Sequence, residues 1–311
     1  MSATLSFGLR LPQEISDPGV LRELAQEAER RGFHSLWFYD HFFHFPTASN
    51  THVLEVFTAM TAVASWTKSI RVGSLVLCNG YRPPALTAKI SATLDVLSGG
   101  RLELGYGAGW HEEEHRAYGY DFPAVAPRIA RMEEALQIIR SAWTEGAASF
   151  AGRHYQVEQA ICEPRPVQQP HPPITIGGGG EKLLLRAVAR HADWWNYFPV
   201  ALPEYEQKAA VLKEHCERLG RDPASVRRSL TMPLMTAPWE KEVRDQLEGA
   251  RQRGIFWALS NRLVQGTPDI VVPRFRDYAR RGVSLFILVL PDPTDLKQLE
   301  FIERSVIAEL D

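Results

Sequence analysis

Asp40 and His41 are the residues of this chain best suited to proton chemistry. They follow a short aromatic run, Ser35–Tyr39, that reads as a strand. A carboxylate beside an imidazole can orient a substrate or move a proton, because histidine titrates near neutral pH. A lone histidine serves equally well as a hydrogen-bonded structural residue. Adjacent strand residues also face opposite ways, so the two need not share one task. A second chemistry is offered by glycine. Gly177-Gly178-Gly179-Gly180 lies directly between a strand and a helix, where bare backbone lets amides approach an anion and the helix end beyond favours one. A tight turn with positive φ explains one or two of these glycines but hardly four. The other glycine pattern, Gly105-x-Gly107-x-Gly109, is not the dinucleotide fingerprint: its third glycine is misplaced and no acidic residue caps a second strand suitably. A nicotinamide Rossmann site is therefore disfavoured. A third pattern points to another class of enzyme. His111-Glu112-Glu113-Glu114-His115 matches the H-E-x-x-H of zinc hydrolases, whose two histidines share a helix face. Its neighbourhood is charged where such helices carry an apolar side, and a run of glutamates also suits a first helical turn.

These residues are positioned by strands and helices that alternate along the chain. The first strand, Leu5–Leu11, ends at Pro12, and a helix over Val20–Arg31 stops at Gly32. Ser35–Tyr39 and a helix over Leu54–Trp66 come next. Ile70–Leu77 with Pro84–Leu97, and Arg101–Tyr106 with Arg128–Thr144, make the third and fourth pairs. Residues 147–173 break the rhythm with short polar and aromatic pieces and five prolines, an excursion that suits a small hairpin. The pairs resume with Ile174–Ile176 and Glu181–Arg190, then Trp194–Phe198 and Pro203–Leu219. Arg228–Met235 is the seventh strand, followed by an irregular segment at 237–266 that holds a charged helix and an unassigned aromatic stretch, Ile255–Leu259. Pro268–Arg281 is helical, Ser284–Leu290 is the eighth strand, and Leu296–Leu310 closes the chain with a helix. Strict alternation calls for a parallel α/β sheet. Eight units in one domain fit a closed (β/α)8 barrel, the TIM barrel, better than a doubly wound open sheet.

Composition narrows the function classes. The 311 residues are 45% hydrophobic and 23% charged, with 35 Lys and Arg against 37 Asp and Glu. That balance leaves no charge excess to draw the chain to nucleic acid or an anionic membrane. Its longest apolar run, Leu285–Leu290, is far short of a membrane span. Cys78, Cys162 and Cys216 lie far apart without a CxxC pair, and no secretory signal is visible, which makes the cytoplasm the expected compartment. A barrel's active site sits at the carboxyl ends of its strands. Asp40-His41, Cys78-Asn79-Gly80-Tyr81-Arg82, Gly107-Ala108-Gly109-Trp110-His111, the four glycines and Trp195-Asn196-Tyr197 all fall there. Trp110, His111, Asn79, Tyr81 and Asn196 would line a pocket or simply pack the rim.

These landmarks resemble those of the luciferase-like monooxygenase superfamily. The resemblance runs through Trp37–His41, Tyr81-Arg82-x-Pro84, Ala92–Arg101 followed by Gly105–Trp110, Pro173–Gly180 and Ala192–Asn196, in order along nearly the whole chain. Trp110–Gly119 resembles the branch that uses the deazaflavin coenzyme F420 rather than FMN. The resemblance implies hydride transfer between F420 and a small organic substrate. In it Asp40 and His41 contact ring and substrate, His41 as acid/base, and the cofactor phosphate rests on Gly177–Gly180. It further implies a bulge with an unusual peptide bond near Ser74–Val76. Asp40, Ser74, Asn79, Gly107, Ala108, Gly109 and Trp110 would complete the cofactor site, with Tyr81, His111 and Asn196 towards substrate and no metal. The rival within the fold is an FMN-dependent monooxygenase fed by a partner reductase; from other classes stand a zinc hydrolase through His111 and His115 and a non-enzymatic binding barrel. A homodimer is expected by analogy. One departure is Trp110, which stands where the F420-dependent glucose-6-phosphate dehydrogenases carry an acidic residue. Together with the lack of a matching basic set, it speaks against a sugar phosphate.

Overall fold

The computed structural model describes residues 5–44, 52–199, 201–252, 260–292 and 294–310. In chain order the strands are β1 (Ser6–Arg10), β2 (Ser35–Phe38), β3 (Arg71–Ser74), β4 (Leu77–Cys78), β5 (Leu102–Gly107), β6 (Ala147–Ala151), β7 (Gln156–Ile161), β8 (Ile174–Gly177), β9 (Trp194–Tyr197), β10 (Arg227–Thr236), β11 (Val264–Gly266) and β12 (Val283–Val289). The helices are α1 (Pro18–Arg30), α2 (Val56–Trp66), α3 (Pro84–Ser98), α4 (Glu112–Ala117), α5 (Val125–Glu145), α6 (Leu184–His191), α7 (Leu202–Arg218), α8 (Glu240–Gln252), α9 (Pro268–Ala279) and α10 (Leu296–Ile302). Starting from β1, the sheet runs through β2, β3, β5, β8, β9, β10 and β12 back to β1. Every one of these pairings is parallel, which closes the (β/α)8 barrel that the alternation predicts.

Local chemistry sets the helix ends. Asp17 accepts a 2.8 Å hydrogen bond from the Gly19 amide at the start of α1, and Pro18 occupies the first turn, where its missing N–H costs nothing. Pro84 opens α3, which stops at Gly99 in the left-handed conformation. The apolar faces of the helices pack on the outside of the barrel, where Leu9, Leu24, Ile139 and Phe275 are wholly buried. A separate cluster of Trp37, Trp194, Leu285 and Ile287 is set apart from that layer, so the barrel has a packed interior rather than a pore.

Several departures from the sequence reading bear on the site. The third strand, expected over Ile70–Leu77, splits into β3 and β4 around a cis peptide bond between Leu75 and Val76. This falls within the segment where the family resemblance implies a bulge. The fifth helix starts at Leu184 rather than Glu181, because residues 181–183 form a turn. Helix α4 falls on the glutamate run. Within 147–173, in keeping with the sequence reading, β6 and β7 pair as an antiparallel hairpin. In 237–266, α8 is followed by β11, which pairs with the end of β10; the aromatic stretch Ile255–Leu259 lies outside the described residues. No helix among the described residues is long and apolar enough to cross a membrane.

Candidate active site

At the carboxyl ends of the strands lies a cavity of about 360 Å³, within the range that small ligands occupy. Leu75, Val76 and Leu77 line it between β3 and β4, and Gly107, Ala108 and Gly109 line it after β5. Gly177, Gly178 and Leu184 form another side, and the start of α5 contributes Val125, Arg128 and Ile129. Asp40, His41, Tyr81, Trp110 and His111 also line it, beside Tyr39 and Cys78. Of the residues singled out in the sequence, Ser74, Asn79, Gly179, Gly180 and Asn196 are not in this lining.

The neighbours Asp40 and His41 have different partners. Asp40 is buried, accepts a 2.8 Å hydrogen bond from the Cys78 amide, and receives both arms of the Arg82 guanidinium at 2.8 and 3.0 Å. Such a bidentate, charge-assisted pair is among the strongest polar contacts a protein makes. Burial pushes the Asp40 carboxyl up, and Arg82 and the Cys78 amide work against that rise. Arg82 also donates to Glu55 at 2.6 Å, and Glu55 in turn caps α2 by accepting from the Thr58 amide. Asp40 therefore anchors the start of α2 and the turn after β4 to the end of β2.

His41 turns to Glu114 instead. Its Nδ1 lies 2.7 Å from Glu114 Oε2, and the same oxygen accepts from the Tyr81 hydroxyl at 2.8 Å. The other oxygen accepts from the Phe42 amide at 2.7 Å. His111 Nδ1 stands 3.3 Å from Oε2. Glu114 is 0% exposed. Burial alone would raise its carboxyl, but the His41 contact, the Phe42 amide and the Tyr81 hydroxyl hold it down at about 2. Trp110, 56% exposed, sets its ring edge-on to His41 with centroids 5.6 Å apart.

The zinc reading of His111 and His115 does not fit this geometry. His115 is buried, with Nδ1 3.0 Å from the His111 carbonyl oxygen and Nε2 facing Cys78 Sγ at 3.7 Å. Among the described residues, the group whose potential ligand atoms come within 4.8 Å of one another is His41, His111 and Glu114. Glu114 was legible only as one of three glutamates in a first helical turn. Its signal was spacing: three residues beyond His111, it occupies the third position of α4.

Other expected site residues are tied up by the fold. The Ser74 hydroxyl donates to the Gly105 carbonyl at 2.9 Å and accepts from the Gly105 amide at 3.1 Å, pinning β3 to β5. A Cβ on Gly105 would lie 1.8 Å from the Ser74 carbonyl oxygen, so only glycine permits this approach. Asn79 accepts from Tyr106 at 2.9 Å and donates to Tyr155 at 3.2 Å. Asn196 bridges Ser229 and Thr231 inside the sheet. Three of the four glycines have packing reasons of their own. Gly178 has φ +122°, and a Cβ there would meet Leu184 at 2.5 Å; one on Gly179 would meet the Tyr197 ring at 2.4 Å, and one on Gly177 would meet Val76 at 3.2 Å. Gly180 alone of the run has no Cβ contact shorter than 3.4 Å.

Comparison with known proteins agrees with this fold. The family model for luciferase-like monooxygenases matches residues 3–285. An F420-dependent glucose-6-phosphate dehydrogenase from Amycolatopsis mediterranei is 35% identical over 257 residues, 82% of this chain and 74% of that protein. An FMNH(2)-dependent dimethylsulfone monooxygenase from Pseudomonas putida is 34% identical over 174 residues, 56% of this chain and 47% of that protein. Among solved structures, the coenzyme F420-dependent tetrahydromethanopterin reductase from Methanopyrus kandleri superposes with a TM-score of 0.82 at 20% identity, covering 99% of this chain and 100% of that one. With a family match over most of its length and a relative 35% identical, the chain belongs to the luciferase-like monooxygenase family.

Proposed function

We propose that this chain is an oxidoreductase that moves a hydride between coenzyme F420 and a small organic molecule. The observation that carries the reading is the His41–Glu114 contact at the edge of a glycine-walled cavity. The residues present fit a flat ring. Leu75–Leu77 offer an apolar surface, and a Cβ on Gly107 would meet Val76 at 2.7 Å, so side chains at that wall would crowd the space. Backbone at Gly107–Gly109 and Gly177–Gly178 would hold the ring and its tail, with Trp110 at the rim. A bound deazaflavin supplies a ring carbon that accepts or donates a hydride and reacts poorly with dioxygen.

The chain's own residues handle the proton. An ionised Glu114 would accept a hydrogen bond from the Nδ1–H of His41, and proton exchange with the substrate oxygen would run through Nε2. Because the carboxyl titrates at about 2, it stays charged at neutral pH and holds the ring in place. Asp40, neutralised by Arg82, positions the end of β2 that carries His41. The curated F420-dependent relative supports the cofactor assignment. The FMN-dependent relative supports a second reading, a monooxygenase fed with reduced flavin by a partner reductase. We further assign the chain to the cytoplasm, on its three buried free thiols, and to a homodimer by analogy with relatives.

Titration of the purified chain with oxidised F420 and, in parallel, FMN, followed by fluorescence, tests the reading. Tight binding of the deazaflavin is expected. Preference for FMN would move the reaction to the monooxygenase, and binding of neither would overturn both readings.

A further inference from the structure

We propose that His41, His111 and Glu114 form a binding site for a divalent transition-metal ion, and that an ion bound there shuts off proton exchange at His41. Binding depends only on these three side chains; the inhibition rests on the acid/base role proposed above for His41. The segment His111–His115 leads to the site, because the fold divides that motif. His115 turns away, towards Cys78 and the His111 carbonyl, whereas His111 and Glu114 converge on His41. Nδ1 of His41 lies 2.7 Å, and Nδ1 of His111 3.3 Å, from the same oxygen, Glu114 Oε2. One ligand atom from each residue falls within 4.8 Å of the other two.

Two imidazoles and one carboxylate, with further positions open, make a donor set that holds zinc or ferrous iron. Ligand bonds of about 2.0–2.2 Å place neighbouring donors roughly 3 Å apart, so the His111 spacing already fits and the His41 contact need widen only slightly. Both imidazoles line the cavity, with side chains 17% and 10% exposed, so an ion reaches them from the side that admits substrate. Glu114 stands behind them, wholly buried, its carboxylate already aimed by the Phe42 amide and the Tyr81 hydroxyl. Outer contacts of this kind orient a ligand and raise metal affinity. An ion entering the group takes the place of the Nδ1 proton of His41, which passes to solvent. The metal-bound imidazole keeps its remaining proton on Nε2. With both ring nitrogens occupied it has no lone pair for a substrate proton, and giving up the Nε2 proton would leave a costly imidazolate. Proton exchange stops while the ion is bound and returns when it leaves.

The test titrates the chelator-treated full chain with Zn2+ against a chromophoric chelator, and measures a zinc-soaked crystal at the zinc absorption edge. One equivalent is expected in the titration, with the anomalous peak between the three side chains. His111→Gln and Glu114→Gln should each weaken Zn2+ by about tenfold or more, and His115→Gln by less than about threefold. Zn2+ should lower turnover, and excess chelator should restore it. The crystal keeps the test decisive where a substituted chain does not fold. An anomalous peak at other residues, or an affinity that neither His111→Gln nor Glu114→Gln alters, overturns the site. So does zinc held at soaking concentration only, with no equivalent in the titration, which marks an adventitious ion only. Zinc seated on the three residues with turnover undiminished overturns the inhibition. If the chain binds neither deazaflavin nor FMN, the functional reading falls, while the titration and the crystal still decide the metal site.

Discussion

His41 is tethered through Nδ1 to Glu114, 2.7 Å away on a helix that begins 71 residues further along the chain. That carboxylate is wholly buried and also accepts from the Phe42 amide and the Tyr81 hydroxyl, so it fixes the imidazole and the loop beside it in one step. Replacing Glu114 with Gln keeps the shape but removes the charge. Its carboxyl titrates at about 2 in the folded chain against 4.5 as a free side chain. A depressed folded value stabilises the protein above the unfolded value and loses that stabilisation as pH falls through the folded one. Glu114→Gln is therefore expected to cost about 3 kcal/mol at pH 7, with the gap to wild type narrowing between about pH 4.5 and 2. Denaturant melts across that window check it, and a gap that does not vary with pH would remove the charge from the argument.

His41→Ala should separate chemistry from binding. Positioned acid–base groups contribute typically 10²- to 10⁴-fold to rate, so turnover of a substrate found by screening should fall by about that much. F420 affinity, carried by backbone and ring contacts, should change by less than about threefold. A rate within twofold of wild type would take His41 out of the mechanism.

Gly180 offers the cleanest probe of the four-glycine run. Substituting Gly178 or Gly179 disturbs the fold itself, through a positive φ and a clash with Leu184 in one case and a clash with the Tyr197 ring in the other. A Cβ on Gly180 meets nothing nearer than Leu184 Cβ at 3.4 Å, so Gly180→Ala should leave stability within about 0.5 kcal/mol. If the cofactor phosphate rests on this loop, the added methyl group lowers F420 affinity by about tenfold. An affinity equal to wild type would move the phosphate away from the loop.

Legibility in the sequence followed the range of the physics. Strand and helix periodicity are local, so the barrel and most of its element boundaries could be read directly. Glycine and proline marked the ends of α1 and α3 for the same reason. The break between β3 and β4 has no local pattern and came only through the family resemblance. What periodicity could not give was which side chains meet. Asp40 and His41 were adjacent on paper, yet one pairs with Arg82 and the other with Glu114, both brought in by tertiary structure. The glycine run looked like a phosphate loop, but three of its members also answer to Val76, Leu184 and Tyr197, contacts that no sequence window contains.

The Asp40–Arg82 pair should behave as a buried ion pair whose loss exposes the cost of an isolated charge. Their side chains are 1% and 12% exposed. Arg82→Met leaves the Asp40 carboxylate without its main counter-charge, and breaking such a pair costs about 3–5 kcal/mol. In the intact protein burial already holds the Asp40 carboxyl above its ordinary value, and without Arg82 it rises further. A group raised in this way is penalised above its folded value and relieved below it, so the variant should regain stability relative to wild type as pH falls. Adding Asp40→Asn removes the stranded charge and should recover part of the loss at neutral pH while flattening its pH dependence. If the double variant is no more stable at pH 7 than Arg82→Met alone, the penalty comes from lost packing and from the Glu55 contact at the start of α2, not from the buried charge.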